Sequence, residues 1–445
     1  MGISSDSYIR HSITTPVSTV LLSINIFLLS IKRNIYILMS EIFLNFAFMS
    51  ECMKNKECLT VRPGHSAGIY VHIPYCARRC LYCDFYTEGV IRADWPAYVT
   101  ALLTELRQRL DGPESNILRD ADRYTLYIGG GTPSLIPLAE FRRLADGIIG
   151  MTGGKPSEFT IEVNPDDVTQ EKAEAWRAAG VDRVSMGVQS LIDSELKFIG
   201  RRHDAATAIQ AYGILRPLFD NISLDLMFGL PGQTMESLRQ TLAGLMQMRP
   251  EHVSAYSLMY EERTALTRLR DSGKIQEADE TLSVDMFRAI CDTLEQNGYG
   301  HYEISNWALP GRESQHNSTY WQGVPYLGLG AGAHSYDGHR TRRSNLPDAR
   351  LYVSSLSDNS NSSHYTTEHL DSEALREEMI MTRLRIRRGL DLDEYAERFG
   401  QKALDSLVRR AAPIIARGLL INNNRHLALT RDGVMLSDDI ITDLF

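Results

Sequence analysis

The chain has 445 residues, of which 43% are hydrophobic and 23% are charged, and its formal net charge is −9. This length predicts two or three globular domains, and the acidic balance argues against recognition of nucleic acid phosphates. Six cysteines are too few and too clustered for the disulfide framework of a secreted protein, so we expect a reducing, cytoplasmic environment.

The N-terminal residues 1–66 form an apolar extension. The runs "VSTVLLSINIFLLSI" and "IYILMSEIFLNFAFM" both fall short of the roughly 20 apolar residues that span a bilayer. Three interpretations stay open. The segment is a non-native extension with translation starting near Met49 or Met53, an interfacial anchor, or a signal peptide, although no clean cleavage site follows the apolar run.

From Gly68 onward, short β-rich runs alternate with amphipathic helical runs such as 95–110 and 170–180. Parallel neighbouring strands need a crossover connection, so the alternation predicts an α/β fold with a parallel sheet. The six candidate strands are 69–74, 124–129, 159–164, 183–188, 222–229 and 253–260.

Polar or turn-forming residues follow every one of these strands. In chain order they are His72 and three cysteines, "GGGTPS", Glu162 with Asn164, Gln189, Asp225 with "GLPGQT", and Tyr256 with Ser257. In parallel α/β barrels the functional site forms at the C-terminal ends of the strands. Because polar or turn-forming residues follow all six strands, we predict one shared site at that face.

The remainder divides at about residue 300. We predict a core barrel over 67–300, a covering or binding segment over 301–371, and a C-terminal domain over 372–445. In the C-terminal domain, helical runs precede two apolar runs separated by "NNNR". This order predicts a winged-helix-like α+β domain. Its mixed charge and lack of a basic helix indicate a structural role and not DNA binding.

Cys76, Cys80 and Cys83 follow the first strand with Cys-x3-Cys-x2-Cys spacing. Structural zinc sites use four ligands, usually in two pairs, and no second pair follows here. Iron–sulfur clusters are held by cysteine thiolates, ordinarily four. Three thiolates on one loop therefore predict a [4Fe-4S] cluster with one iron open to a small molecule.

The loop "CARRCLYC" resembles the signature of radical S-adenosylmethionine (SAM) enzymes. Together, "YVHIPYCARRCLYCDF", "GGGTPS", "GVQS", "DLMFGLPGQT" and "YEISNWA" resemble the group containing oxygen-independent coproporphyrinogen III dehydrogenase (oxidase) and the heme chaperone HemW. This resemblance covers Ala67–Phe445. It implies a partial (β/α)6 barrel followed by a smaller α+β domain, with a cluster on the three cysteines and SAM bound beside it.

When the motifs of this group are matched to the sequence position by position, the resemblance implies a set of residues that contact SAM. Glycine suits close approach of the backbone, and arginine suits pairing with a carboxylate. The implied residues are Tyr70, Tyr82, Gly130, Gly131, Thr132, Glu162, Gln189, Arg201 and Asp225.

The two members of the group differ at a testable position. The dehydrogenase type carries a fourth cysteine two residues after the third, and a longer N-terminal region. Here that position is Phe85, as in the chaperone type. We therefore expect a chaperone, with the dehydrogenase, which decarboxylates two propionates oxidatively, as the alternative. A radical SAM enzyme with another substrate is a third hypothesis, and whether SAM is cleaved stays open.

The segment "HNSTYW" fits a His-Asn-x-x-Tyr-Trp motif associated with heme binding in HemW-type proteins, so the resemblance implies that His316 binds heme. His301, His334 and His339 lie nearby in sequence and stay open as alternatives. The implied partners are heme and acceptor hemoproteins such as respiratory enzymes, with at most peripheral membrane contact. Family members can form homodimers, which these residues neither predict nor exclude.

Overall fold

The structure is a computed structural model that describes residues 66–357, 363–423 and 425–445. The extension predicted over 1–66 lies outside these residues except for Ser66, the first residue of a strand. Of the described helices, none combines the length and apolarity needed to cross a bilayer.

Six parallel strands form the centre of the fold and confirm the predicted α/β class. They are β1 (Ser66–Ile73), β2 (Arg123–Gly130), β3 (Glu158–Val163), β4 (Arg183–Gln189), β5 (Ile222–Phe228) and β6 (His252–Ser257). Each strand pairs in parallel with the next in chain order. Their residues are buried almost without interruption, because helices cover the outer face and side chains fill the inner one.

Amphipathic helices connect these strands. They are α1 (Trp95–Asp111), α2 (Leu138–Thr152), α3 (Gln170–Ala178), α4 (Ala205–Leu215), α5 (Met235–Met248) and α6 (Glu280–Gln296). Local signals fix their ends. The Asp94 side chain caps α1, and a capping box of Thr234 and Ser237 starts α5. Most of the buried apolar residues of these helices belong to the same hydrophobic core as the strands.

The segment after residue 300 extends the same sheet at both edges. Its elements are β7 (Gly300–Glu303), β8 (Asn306–Ala308), α7 (Gln315–Trp321), β9 (Tyr326–Leu329), β10 (His334–Tyr336), β11 (Thr341–Asn345), α8 (Ala349–Ser355) and β12 (Tyr365–His369). The resulting 12-stranded sheet has the order β12-β11-β10-β9-β1-β2-β3-β4-β5-β6-β8-β7. Strand β9 is parallel to β1, whereas the strands beyond it pair antiparallel.

The C-terminal region has a separate hydrophobic core. Its elements are α9 (Ser372–Leu384), β13 (Leu390–Asp391), α10 (Leu392–Phe399), α11 (Gln401–Ala416), β14 (Leu420–Asn422), β15 (His426–Leu429) and α12 (Ser437–Asp443). The antiparallel pair β14–β15 is the predicted hairpin, and β13 joins it as a third strand. This arrangement confirms the winged-helix-like α+β domain. Shorter segments elsewhere are Tyr75–Cys76, Glu88–Gly89, Asn116–Arg119, Asp193–Phe198, Ala265–Asp271 and Arg431–Val434.

A buried carboxylate ties α1 to the segment that extends the sheet. Glu105 is fully buried, and its oxygens accept hydrogen bonds from Tyr352 (2.6 Å), Asn345 (3.0 Å) and Arg343 (3.3 Å). Arg109, one turn along α1, lies 3.4 Å away. Because a buried charge is tolerated only when it is paired and hydrogen-bonded, these contacts hold α8 and β11 against the barrel.

We expect Glu105→Gln to lower the free energy of unfolding by about 3 kcal/mol at neutral pH, because it removes the buried negative charge that faces Arg109 and Arg343. Burial alone would raise the pKa of Glu105, but His364, Arg109 and the hydroxyl and amide donors lower it to about 2. This stabilisation is therefore complete above about pH 4.5 and is lost as the pH falls toward 2. Urea unfolding measured across this range tests both statements.

Glu114→Gln is the matched control, since Glu114 also pairs with Arg109 but is 28% exposed. Its effect should stay below about 1 kcal/mol. Equal losses in the two variants would contradict a special role for the buried carboxylate.

Candidate functional site

The three predicted cluster cysteines lie on one loop, residues 76–83, that crosses the C-terminal ends of the strands. The Leu81 N–H donates to the carbonyl of Ile199 (3.2 Å), and the Leu266 N–H donates to the carbonyl of Leu81 (2.9 Å). These bonds attach the cysteine loop, which leaves β1, to the segments that follow β4 and β6. All three thiols are free, with Cys76 buried and the other two partly exposed.

A chain of hydrogen bonds links Cys76 to Cys80 through residues at the ends of β2, β3 and β4. The Thr132 hydroxyl donates to Cys76 Sγ (3.3 Å), and the Asn164 amide donates to Thr132 Oγ1 (3.4 Å). Arg201 donates to Asn164 Oδ1 (2.6 Å) and to Cys80 Sγ (3.7 Å). Two predicted SAM residues, Thr132 and Arg201, are thereby brought into contact with two predicted cluster ligands.

Asn164 is central to this chain, although from the sequence it was placed only at the shared face and assigned no cofactor. The available signal was its position directly after the third strand, where polar residues also follow the neighbouring strands. Its partners Thr132 and Arg201 lie in the connections after β2 and β4, so only the folded chain shows that Asn164 bridges them.

The glycine loop after β2 packs against the first strand. Gly130 has a φ of 111°, and a Cβ there would lie 2.7 Å from the ring of His72. A Cβ on Gly131 would lie 2.9 Å from the carbonyl oxygen of Ile73, which already accepts the Gly131 N–H. Contacts within the protein therefore require glycine at both positions. Contact of Gly130 and Gly131 with SAM stays a prediction.

Tyr70, Glu162 and Asp225 point to the inside of the barrel, because strand register places all three on one face of the sheet. Each of the three side chains is largely buried but remains partly exposed. The hydroxyl of Tyr127 donates to Glu162 (2.7 Å) and that of Ser185 to Asp225 (3.3 Å). Burial raises the pKa of Glu162 to about 7 and that of Asp225 to about 6, which is typical of functional carboxyls.

The remaining predicted SAM residues also lie near the cysteine loop. Gln189 ends β4 in the left-handed region (φ 68°), where the register against β5 shifts. A non-glycine residue in this conformation costs roughly 1–3 kcal/mol and is common at functional sites. Tyr82 packs against the apolar cluster around Ile199 and Leu266. The structure thus places Tyr82, Gly130, Gly131, Thr132, Gln189 and Arg201 with the three cysteines beyond or at the C-terminal ends of the strands, whereas Tyr70, Glu162 and Asp225 lie on the inward face of the sheet.

The donor groups fit the implied cofactors. Among the described residues, no three His, Cys, Asp or Glu side chains lie close enough to share one metal ion. In an iron–sulfur cluster, however, each thiolate bonds its own iron, so the thiols need not converge on a point. Arg201 Nε is buried and has no hydrogen-bond partner in the described part of the chain. This leaves a donor beside Cys80 for an anionic group such as a carboxylate.

The motif "HNSTYW" forms α7 at the opposite end of the barrel. The backbone N–H groups of Gln315 and His316 both donate to the carboxylate of Glu158 (2.9 Å each), the first residue of β3. Strand β3 rises by about 16 Å from Glu158 to its last residue, and the cysteine loop lies beyond that far end. Helix α7 therefore closes the N-terminal end of the barrel.

The imidazole of His316 is 1% exposed. Its Nδ1 is hydrogen-bonded to the Thr125 hydroxyl and its Nε2 to the Tyr320 hydroxyl, both at 2.8 Å. Burial, assisted by Arg183, lowers the pKa of His316 to about 3, so the ring is neutral. Heme ligation by His316 stays a prediction, and it requires one of these two hydrogen bonds to break and the buried ring to become accessible.

The three alternative histidines differ in their solvent exposure and in the contacts of their rings. His301 stacks on Trp307 with ring centroids 4.1 Å apart. His334 is exposed, and its Nδ1 is hydrogen-bonded to Ser344 (2.9 Å). His339 is exposed, and no described residue forms a hydrogen bond with its ring.

Comparison with known sequences agrees with this architecture. The radical SAM superfamily model matches residues 70–244, and the HemN C-terminal domain model matches residues 370–436. The curated protein "Heme chaperone HemW" from Bacillus subtilis is 34% identical over 375 residues, covering 83% of this chain and 97% of that protein. The protein of the same name from Lactococcus lactis is 33% identical over 376 residues, covering 83% and 95%.

Among solved structures, coproporphyrinogen III oxidase (HemN) from Escherichia coli matches with a TM-score of 0.70 and 22% identity, covering 86% of this chain and 91% of that one. At this identity the likeness concerns the fold. The matches to these two relatives extend over almost their whole length. The chain therefore belongs to the radical SAM superfamily and, within it, to the family of the heme chaperone HemW.

Proposed function

We propose that this protein is a cytoplasmic heme chaperone that binds a [4Fe-4S] cluster, SAM and heme and delivers heme to acceptor hemoproteins such as respiratory enzymes. The observation that supports this most directly is the match to proteins named heme chaperone HemW over 97% and 95% of their lengths. Any contact with a membrane during delivery would be peripheral.

In this proposal Cys76, Cys80 and Cys83 hold the cluster. When bound, the reduced cluster would supply an electron to SAM, as in other radical SAM proteins. Arg201 anchors the cysteine loop to the end of β3 and offers its free Nε to the cofactor. Glu162 and Asp225 would accept hydrogen bonds from ribose hydroxyls in the barrel interior.

Phe85 supports the chaperone over the coproporphyrinogen dehydrogenase. It occupies the position of the fourth cysteine of the dehydrogenase type and is 66% exposed. A phenyl ring there supplies apolar surface and no thiol. The shared fold keeps the dehydrogenase as the second candidate, since the cluster residues serve both activities.

The test uses the full chain, reconstituted anaerobically with iron and sulfide. Heme is titrated by absorbance, and a parallel sample receives coproporphyrinogen III, SAM and a reductant before porphyrins are oxidised and quantified. We expect heme binding at a fixed stoichiometry, transfer to an apo-hemoprotein, and no protoporphyrin. Protoporphyrin formed with consumption of SAM, without heme binding, would instead identify a dehydrogenase.

A further inference from the structure

A cavity of ≈ 750 Å³ lies between the turn joining β10 to β11 and the C-terminal domain. The turn contributes His339 and Arg340, and the domain contributes Arg376 from α9 and Arg398 and Phe399 from α10. Cavities that bind small molecules usually have volumes of about 300–1,000 Å³. The size therefore suits an organic ligand, and none of the lining residues belongs to the cluster and SAM site.

The cavity is cationic on an acidic protein. Arg340, Arg376 and Arg398 line it together with one carboxylate, that of Glu373, whereas the whole chain has a formal charge of −9. Glu373 pairs with Arg376 (3.1 Å). A concentration of arginines against the overall charge favours a ligand with more than one negative group, because each guanidinium can pair with a carboxylate in a bidentate manner.

Each guanidinium group has five N–H donors, more than the recognised contacts use, which are Glu373 for Arg376 and the Tyr336 hydroxyl for Arg398. Arg376 Nε is buried and lacks a hydrogen-bond partner within the described residues. Arg398 lies over the ring of Phe399, with its guanidinium carbon 5.4 Å from the ring centroid. Phe399, which is partly exposed, adds apolar surface to the same walls, and the buried Leu375 packs behind it. A ligand that combines carboxylates with a broad apolar body would satisfy both features.

His339 adds a group that binds iron. The backbone holds its turn firmly, since Asp337 accepts hydrogen bonds from the N–H groups of His339 and Arg340 (2.8 Å each). Its imidazole, in contrast, is exposed and engaged by no described residue. Neutral imidazole is a common axial ligand of heme iron.

We propose that this cavity is the heme-binding site, with His339 as an axial ligand of the iron and the arginines pairing with the two heme propionates. The proposal rests on the proposed heme chaperone function and gives it a location. It differs from the His316 hypothesis because His316 is buried at the closed end of the barrel with both ring nitrogens engaged.

The experiment titrates heme into the full-length protein and follows the Soret band. The variants are His339→Ala, the double variant Arg376→Gln/Arg398→Gln, and His316→Ala. Two controls make the same chemical changes outside the cavity. They are His369→Ala and the double variant Arg409→Gln/Arg417→Gln, which removes two positive charges from exposed positions of the same domain.

We expect the arginine double variant to weaken heme affinity by about tenfold or more, since charged hydrogen bonds contribute about 1.5–3 kcal/mol. His339→Ala should also shift the Soret maximum, because an axial ligand is lost. The controls and His316→Ala should bind as wild type does, and circular dichroism of every variant verifies folding.

The results distinguish a wrong location for the heme site from a wrong function. If wild-type protein binds heme and the His339 and arginine variants match it in affinity and spectrum, the cavity is not the heme site, while the chaperone function stands. If wild-type protein binds no heme, the proposed function itself fails. If folded His316→Ala is the only variant that loses the wild-type heme spectrum, His316 on α7 is the iron ligand and the cavity is not the heme site.

Discussion

Cys80→Ala is expected to abolish cluster assembly. After anaerobic reconstitution, bound iron, bound sulfide and visible absorbance should fall below about a tenth of the wild-type values, because a site left with two thiolates cannot retain a four-iron cluster. Cys80 is also one end of the hydrogen-bond chain through Arg201. Its removal therefore takes away both a ligand and an anchor of the cysteine loop.

Cys291→Ala is the matched control for this experiment. Cys291 is a fully buried cysteine on α6, and it belongs to the hydrophobic core. Its variant should keep wild-type iron and sulfide content even if it is less stable. Retention of a full cluster by Cys80→Ala, or its loss in folded Cys291→Ala, would contradict the assignment of the ligands.

Arg201→Lys is expected to weaken SAM binding by about 30-fold or more, the effect of truncating one partner of a desolvated charged contact. Lysine keeps the positive charge but cannot reproduce the planar fork that reaches Asn164, the Gly187 carbonyl and Cys80 at once. Isothermal titration of cluster-loaded protein with SAM measures the effect. Iron content must be determined in parallel, because Arg201 contacts a predicted cluster ligand.

The neighbouring Arg202 provides the control. Its guanidinium pairs with Asp167 (2.9 Å), and within the described part of the chain it forms no hydrogen bond or ion pair with the cysteine loop. Arg202→Lys should therefore change SAM affinity by less than about threefold. Equal effects at both positions would indicate general damage to the loop after β4, and not a direct role of Arg201 at the cofactor.

Much of the fold could be predicted from local sequence. The six central strands lie within a few residues of their predicted positions, and the hairpin around "NNNR" forms as expected. These features depend on short-range patterns, namely buried β-rich runs, helical periodicity and turn residues. The polar residues after each strand could likewise be assigned to one face, since parallel strands all end on the same side.

The pairing of β9 with β1 was not predictable in this way. Strand β9 has four residues in a glycine-rich segment, and its partner lies more than 200 positions earlier in the chain. Nothing local distinguishes such a strand from a loop. Pairing between distant segments depends on which surfaces the rest of the fold leaves available, and so tertiary structure decides it.

The same distinction applies to the functional residues. The sequence by itself determined the cysteine triplet and the residues at the strand ends, because their chemistry and spacing are local properties. Only the tertiary structure decided that Asn164 bridges Thr132 and Arg201, and that α7 closes the far end of the barrel. It also decided that His339 shares a cationic cavity with arginines of the C-terminal domain. The physical reason is that burial and side-chain contacts arise between segments far apart in the chain.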